Sequence, residues 1–261
     1  MDSQNTPILT VEGLRRSFGG LAALDGVGFS VAPGRITALI GPNGAGKTTL
    51  FNAISGLLRV DAGRVQLRGK DLIGLRPEAI TAQGLVRTFQ IARGFPKLTV
   101  FEHLMLYGQR QAGENWTAAL FGPAARRREE AALAEQALAI AARLRLSHVI
   151  DNRVTALSGG QKKLLEIGRA LMARPEIILL DEPAAGVNPT LAEEIGDLLV
   201  TIAAEGRTIL LIEHNMALVG RIAQDVVVMA AGQTLATGDF ASVCDDPVVQ
   251  DAYLGTRRNV A

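Results

Sequence analysis

Cysteine occurs only once in this 261-residue chain, at Cys244. One thiol closes no internal disulfide and builds no zinc site, so covalent staples and structural zinc are both unexpected, and Cys244 reads as a small apolar side chain. A charge excess is also missing: 27 Lys and Arg stand against 26 Asp and Glu, a formal net charge of +1. Such a surface offers no broad field for phosphate backbones, so nucleic acid is not expected as a partner. The basic run Arg126-Arg127-Arg128 is followed at once by Glu129-Glu130 in a helical pattern, which reads as a solvated helix face. No apolar run approaches the roughly 20 residues that cross a bilayer. The polar start Met1-Asp2-Ser3-Gln4-Asn5 lacks the basic-then-apolar order of a signal peptide, and the chain is expected to stay in the cytosol. No internal repeat or low-complexity linker interrupts it.

What the chain does have is apolar content, 48% of its residues, enough for a full core in one large domain or two closely packed lobes. Its most specific segment is Gly41-Pro42-Asn43-Gly44-Ala45-Gly46-Lys47-Thr48, which fits the phosphate-binding loop G-x-x-x-x-G-K-[ST]. The context agrees: Ile36 to Ile40 reads as a buried parallel strand, and Thr48 to Ser55, closed by Gly56, as the helix after it. Glycines let backbone N–H groups turn inward around phosphate oxygens, and the helix N-terminus adds positive potential. Lys47 reaches the outer phosphates, and Thr48 can hold magnesium. A simple glycine-rich turn explains the glycines but not the Lys-Thr that follows them.

The strands before and after this loop differ in pattern. Ile8 to Leu14, Phe29 to Val31 and Val65 to Leu67 suggest an antiparallel layer. Ile177 to Leu180 and Thr208 to Ile212 are unbroken apolar runs, as expected of parallel strands covered on both faces. Asn188-Pro189 reads as an N-cap with proline at the first helical position, ahead of a stripe of Leu191, Ile195, Leu198, Leu199 and Ile202. From Phe89 to about Pro175 strands vanish, and Leu133, Ala137, Ile140, Ala141 and Leu144 recur at helical spacing, which predicts a helical insertion. Its loop from Gln111 to Pro123 carries Trp116 and Phe121, which pack locally or meet a partner, local packing being the reading preferred. Val226 to Met229 and Gln233 to Ala236 predict a hairpin, and Phe240 to Leu254 short helices.

Asp181 and Glu182 end the apolar run Ile177 to Leu180. Two carboxylates there are costly unless a cation or a reaction uses them; Asp181 suits magnesium and Glu182 an attacking water. In open α/β sheets ligands gather outside the carboxyl ends of the strands, the edge on which the loop after Ile40 must also lie.

With these motifs the chain resembles, over nearly its whole length, the ATP-binding cassette (ABC) ATPases that power membrane transport. Leu157-Ser158-Gly159-Gly160-Gln161 stands as that family's signature sequence, placed between the phosphate loop and Asp181-Glu182. Read by themselves, Ser158 to Gln161 fit a capping box ahead of Leu164, Gly168, Leu171 and Met172 on one helix face. The resemblance implies a P-loop NTPase fold of ABC type: a parallel-sheet α/β core with an antiparallel β layer and a helical subdomain. On this reading residues 7–255 form one ABC ATPase domain between short tails, 1–6 and 256–261. Its core is about 7–89 and 172–240, and its helical subdomain about 90–171.

The resemblance further implies ATP and Mg2+ as cofactors and assigns roles residue by residue. Phe18 stacks on adenine, with Ala23 near the base or ribose, and residues Gly41 to Thr49, Thr49 included, wrap the triphosphate. Thr48, Asp181 and Gln90 serve the metal. Glu182 activates water, and His214, after Leu210-Leu211-Ile212-Glu213, is the switch histidine; His103 and His148 carry no such placement. Ser158, Gly159, Gly160 and Gln161 meet the γ-phosphate held by a second ABC ATPase subunit. Asn188 takes a place where many relatives carry Asp; it can cap a helix and bond across an interface but holds no charge.

The phrases Arg87-Thr88-Phe89-Gln90, Asp181-Glu182-Pro183-Ala184-Ala185-Gly186 and Ala252-Tyr253-Leu254-Gly255, with the Gln111 to Pro123 insertion, are similar to the subunits serving branched-chain amino acid importers. That similarity implies a sister or identical ATPase, two membrane permeases docked through the region around Gln90 to Glu102, a periplasmic solute-binding protein, and a peripheral place on the cytoplasmic face of the inner membrane. Urea or short-amide importers and a lipopolysaccharide exporter share much of the pattern. A soluble ABC ATPase in cofactor assembly, translation or DNA repair is the rival class; translation types carry two cassettes and repair types long coiled coils, whereas a cofactor-assembly scaffold is set apart by membrane cofractionation.

Overall fold

The computed structural model describes residues 6–88, 95–108 and 123–255. Its first segment pairs Leu9–Phe18 (β1) with Leu21–Val31 (β2) in an antiparallel hairpin. Apolar alternation alone predicts much shorter strands. The extra length comes from a polar ladder: Arg15 opposes Asp25 and pairs with it at 3.0 Å, and the chain turns at Gly19-Gly20. Ile36–Ile40 (β3) follows, buried at every position, and then the helix Lys47–Ile54 (α1). Ala62–Leu67 (β4) joins the free edge of β1 and the short Lys70–Asp71 (β5) pairs with β4, completing a sheet of order β2-β1-β4-β5. Pro77–Ala82 (α2) leads into Leu85–Arg87 (β6).

Residues in Thr88–Pro175 form a compact unit of their own. Its helices are Val100–Leu106 (α3), Pro123–Arg143 (α4) and Gly159–Met172 (α5), which pack against one another. The stripe expected on α4 holds, with Ala137, Ala141 and Leu144 buried. On α5 the buried face differs from the predicted one. Leu165, Gly168 and Met172 face inward, whereas Leu164 and Leu171 are only half-buried. The cause is the close approach at Gly168, where Leu144 and Leu104 fill the space a side chain would take and so set the rotation of the helix. Arg127, Arg128, Glu129 and Glu130 are exposed, as a solvated face requires. Trp116 and Phe121 lie outside the described residues.

The chain returns from this unit through Ile177–Asp181 (β7), Pro189–Ala204 (α6), Thr208–Ile212 (β8), Met216–Ile222 (α7), the hairpin Asp225–Ala230 (β9) with Gln233–Gly238 (β10), and the helices Phe240–Asp245 (α8) and Pro247–Gly255 (α9). The second sheet runs β10-β9-β3-β8-β7-β6, parallel except for β10. Both faces are covered, which explains its unbroken apolar strands. Leu39, Leu179, Leu210 and Ile212 share a core with Leu50, Phe51 and Ile54 of α1 and with the antiparallel sheet, while Ala38, Ile40, Val226 and Val228 pack with Val219 and Val243. Cys244 is exposed; on α8 the inward position belongs to its neighbour Val243.

Phe51 is fully buried in the first of these cores, and Leu57, a few residues on, is 49% exposed. Phe51→Ala is therefore expected to cost about 3–5 kcal/mol, and Leu57→Ala less than about 0.5 kcal/mol. Urea midpoints of the two purified variants check the ordering.

Candidate functional site

The loop Gly41–Gly46 leaves the end of β3 and lies flush against its neighbours. A side chain at Gly41 would run into the Met229 carbonyl oxygen, and one at Gly46, where φ is 98°, into that of Ala23. The loop backbone is tied down as well: Ala45 N–H donates to the Pro42 carbonyl at 3.2 Å, and Gly232 N–H donates to the Ala45 carbonyl at 3.1 Å. Lys47 opens α1 with its ammonium folded back over the loop, donating to the Gly41 carbonyl at 2.7 Å and the Pro42 carbonyl at 2.9 Å. The residue is only 7% exposed. Burial pushes its pKa below the ordinary lysine range, and the charges of Glu182 and Asp181 push the other way. Asn43, Gly44 and Thr48 are exposed, Pro42, Gly46 and Thr49 half-buried, and Ala45 buried.

Asp181 is the last residue of β7, and its Oδ2 accepts from Arg87 Nη2 at 3.0 Å. Arg87 Nη1 also donates to Asn52 Oδ1 of α1 at 2.6 Å. Burial works against the Arg87 charge and Asp181 works for it. The guanidinium therefore links the helix after the phosphate loop to the carboxylate expected to serve the metal. Glu182 follows with φ at 51°, an uncommon conformation for a residue with a side chain and one that costs roughly 1–3 kcal/mol. Its carboxylate meets His214 at 3.0 Å, Nε2 to Oε1, with both side chains partly exposed. The structure thus brings Lys47, Asp181, Glu182 and His214 to the carboxyl ends of adjacent strands, as the sequence predicts.

Phe18 ends β1 and is 46% exposed. The Arg16 guanidinium covers it, 4.8 Å from the ring centroid. It is no core residue, which is the ordinary fate of an aromatic side chain on a strand. Asn188 caps α6 through Leu191 N–H, accepted by Oδ1 at 2.9 Å. In the helical unit, Ser158 and Gln161 form the expected capping box: Ser158 Oγ accepts from Gln161 N–H at 3.2 Å, and Gln161 Oε1 accepts from Ser158 N–H at 2.9 Å. Ser158 and Gly159 are exposed and Gly160 half-exposed. His103 is buried on α3 with its ring on the Phe95 carbonyl, a structural placement. Gln90 lies outside the described residues. Two residues received no role from sequence reasoning, the Arg87 just described and the buried Glu213 before His214. Both carry the signal that exposed Asp181, a charge at the end of an apolar strand.

A buried lysine in a phosphate loop, with two carboxylates and a histidine on the same edge of a parallel sheet, defines a phosphate-loop nucleotide-binding protein. Residues 24–185 match the family model described as ABC transporter. The chain is 42% identical, over 95% of its length and 97% of the relative's, to a probable branched-chain amino acid transport ATP-binding protein LivG of Methanocaldococcus jannaschii. It is 40% identical, over 95% and 98% of the two lengths, to the high-affinity branched-chain amino acid transport ATP-binding protein BraF of Pseudomonas aeruginosa. Among solved structures, an ATP-binding cassette of an ABC transporter in its ADP conformation superposes with a TM-score of 0.83 at 40% identity, covering 96% of this chain and 100% of that one. The protein therefore belongs to the ABC transporter family as one of its ATP-binding cassettes. It is an ATPase whose turnover is coupled to transport, and it binds nucleotide.

The contact at Gly41 is with rigid backbone, so Gly41→Ala must displace the loop. Affinity for a fluorescent ATP analogue is expected to fall by about tenfold or more, on the order of 1.4 kcal/mol, and equilibrium binding to the purified variant measures it.

Proposed function

We propose that this cassette drives the import of branched-chain or other hydrophobic amino acids, as the peripheral, cytoplasmic-face subunit of a transporter built from two ATPase subunits, membrane permeases and a periplasmic solute-binding protein. The observation that carries the solute is the near-complete alignment, at about 40% identity, with relatives named for branched-chain amino acid transport. Among the described residues no helix is long and apolar enough to cross a membrane, so passage of the solute falls to other chains. Uptake of leucine against urea by the complex reconstituted with its own permeases tests the assignment; transport of urea alone would overturn it.

In the hydrolytic cycle we assign to this chain, Phe18 stacks on the base and Gly41 to Thr49 surround the triphosphate. The loop fits that task. Its close contacts with the Met229 and Ala23 carbonyls hold the backbone without side chains, and Lys47 spends two of its three N–H donors on the loop itself, with a third to offer a phosphate oxygen. Magnesium, which Thr48 and Asp181 would hold, would supply charge neutralisation on the outer phosphates. Asp181 presents one oxygen to Arg87, so that side chain is already oriented. Glu182 takes a proton from the attacking water. In this assignment His214, whose ring meets Glu182 at 3.0 Å, contacts the γ-phosphate and reports its presence to the same carboxylate.

Ser158, Gly159, Gly160 and Gln161 serve the site of a second cassette, and Asn188 bonds across the same interface. ATP then joins two cassettes and hydrolysis releases them.

Lys47→Ala is expected to lower ATP turnover by about 10²-fold or more as the outer phosphates lose their point charge; a coupled phosphate-release assay reads it. Glu182→Gln should reduce hydrolysis by about 10²–10⁴-fold while keeping ATP binding. Size-exclusion chromatography of that variant should show a dimer with ATP and a monomer without it; a monomer under both conditions would remove the shared site.

A further inference from the structure

The side chain of Glu213 is 3% exposed, yet it lies between two loops of the site and bonds to both. Its Oε1 accepts the N–H of Ala184 at 3.0 Å, two residues beyond Glu182. Its Oε2 accepts the N–H of His214 at 3.0 Å and that of Asn215 at 3.3 Å. Donors at these two oxygens come from different strand ends, the turn after β7 and the loop after β8. The same two segments are joined at two further points. Glu182 N–H donates to the Ile212 carbonyl at 3.0 Å, and the Glu182 and His214 side chains meet at 3.0 Å.

We infer that Glu213 is a positioning residue for the hydrolytic step: its carboxylate clamps the turn bearing Glu182 to the loop bearing His214 and so sets the placement of those two side chains. The inference rests on the roles proposed above for Glu182 and His214. Three features of the clamp support it. A carboxylate buried beside backbone amides is an acceptor only, so both loops must present N–H groups to it at once. The two oxygens divide between the loops, so a shift of either loop breaks a charge-assisted bond. The turn it holds contains Glu182 at a φ of 51°, a conformation that persists only where its surroundings over-determine it. The residue assigned to water activation thus has a backbone in need of an external tie.

Glu213→Gln isolates the effect, because the amide has the same shape but only one acceptor oxygen. Its NH2 group must face either the Ala184 amide or the His214 and Asn215 amides, donor against donor. Turnover of ATP by the full-length variant should fall about tenfold or more while KM for ATP stays within about twofold, the split expected when placement rather than binding is lost.

A second readout is independent of activity. With histidine isotopically labelled, the His214 ring resonances should shift in Glu213→Gln while those of His103 and His148 remain in place. Unmoved His214 resonances overturn the clamp. Shifted resonances with normal turnover also overturn it as a device for hydrolysis, and His214→Ala then tells which premise failed: if that variant is itself fully active, the role given to His214 was wrong, and if it is inactive, the coupling through Glu213 was. Should Glu213→Gln fail to fold, Glu213→Asp replaces it; its shorter arm cannot reach both loops, and the same two readouts apply with the same outcomes.

Discussion

Parallel registration of three neighbouring strands is the constraint from which the site follows. Leu39 of β3 lies beside Ile212 of β8, and Ile212 lies beside Asp181 of β7. Adjacent strands are roughly 4.8 Å apart, so the phosphate loop after β3, His214 after β8 and Asp181-Glu182 at the end of β7 emerge within a few strand spacings of one another. No side chain of the site arranges this. Backbone ladders and the apolar residues that cover both sheet faces do, which is why Ala38, Ile40, Leu179, Leu210 and Ile212 matter to chemistry they never touch.

The polar groups at this edge are placed against the preference of the interior for neutral side chains, and each is balanced locally. Lys47 gives its donors to loop carbonyls with Glu182 and Asp181 near by, Arg87 is divided between Asp181 and Asn52, and Glu213 accepts three backbone amides. A buried ion without such partners costs several kcal/mol, so removing one member leaves its partner exposed to that cost. The edge therefore behaves as a linked set, and single substitutions there are expected to disturb neighbours as well as the residue replaced.

Much of this was legible in the sequence because the signals are local. Spacing within Gly41 to Thr48, the unbroken apolar runs of β3, β7 and β8, the capping box at Ser158 to Gln161 and the N-cap at Asn188 each report on a few adjacent residues. Features that depend on residues far apart were not legible. Beyond Leu14, β1 and β2 continue through backbone pairing of residues such as Arg15 and Asp25 across the hairpin, and the rotation of α5 is set where Leu144 and Leu104 meet Gly168. Glu213 is the instructive omission. It stands before His214 just as Asp181 stands before Glu182, at the end of an apolar strand, but its partners are backbone amides, and no residue type in the sequence announces those.

The signature segment poses a question that the cap geometry answers. A capping box consumes helix N-terminal donors, and the role proposed for Ser158 to Gln161 requires donors for an anion. The bonds observed at this terminus leave both demands compatible. Ser158 Oγ accepts through a lone pair, so its hydroxyl proton stays available, and the backbone N–H groups taken by the box are those of Ser158 and Gln161. Gly159 and Gly160, between them, lie in the first turn, where N–H groups find no carbonyl within the helix. The cap thus uses the donors at its two ends and fixes the backbone so that those in the middle point outward, where an anion gains from the helix dipole as well. Glycine at both middle positions keeps side chains from standing between those amides and an incoming phosphate. The box and the proposed phosphate contact are then two uses of one turn.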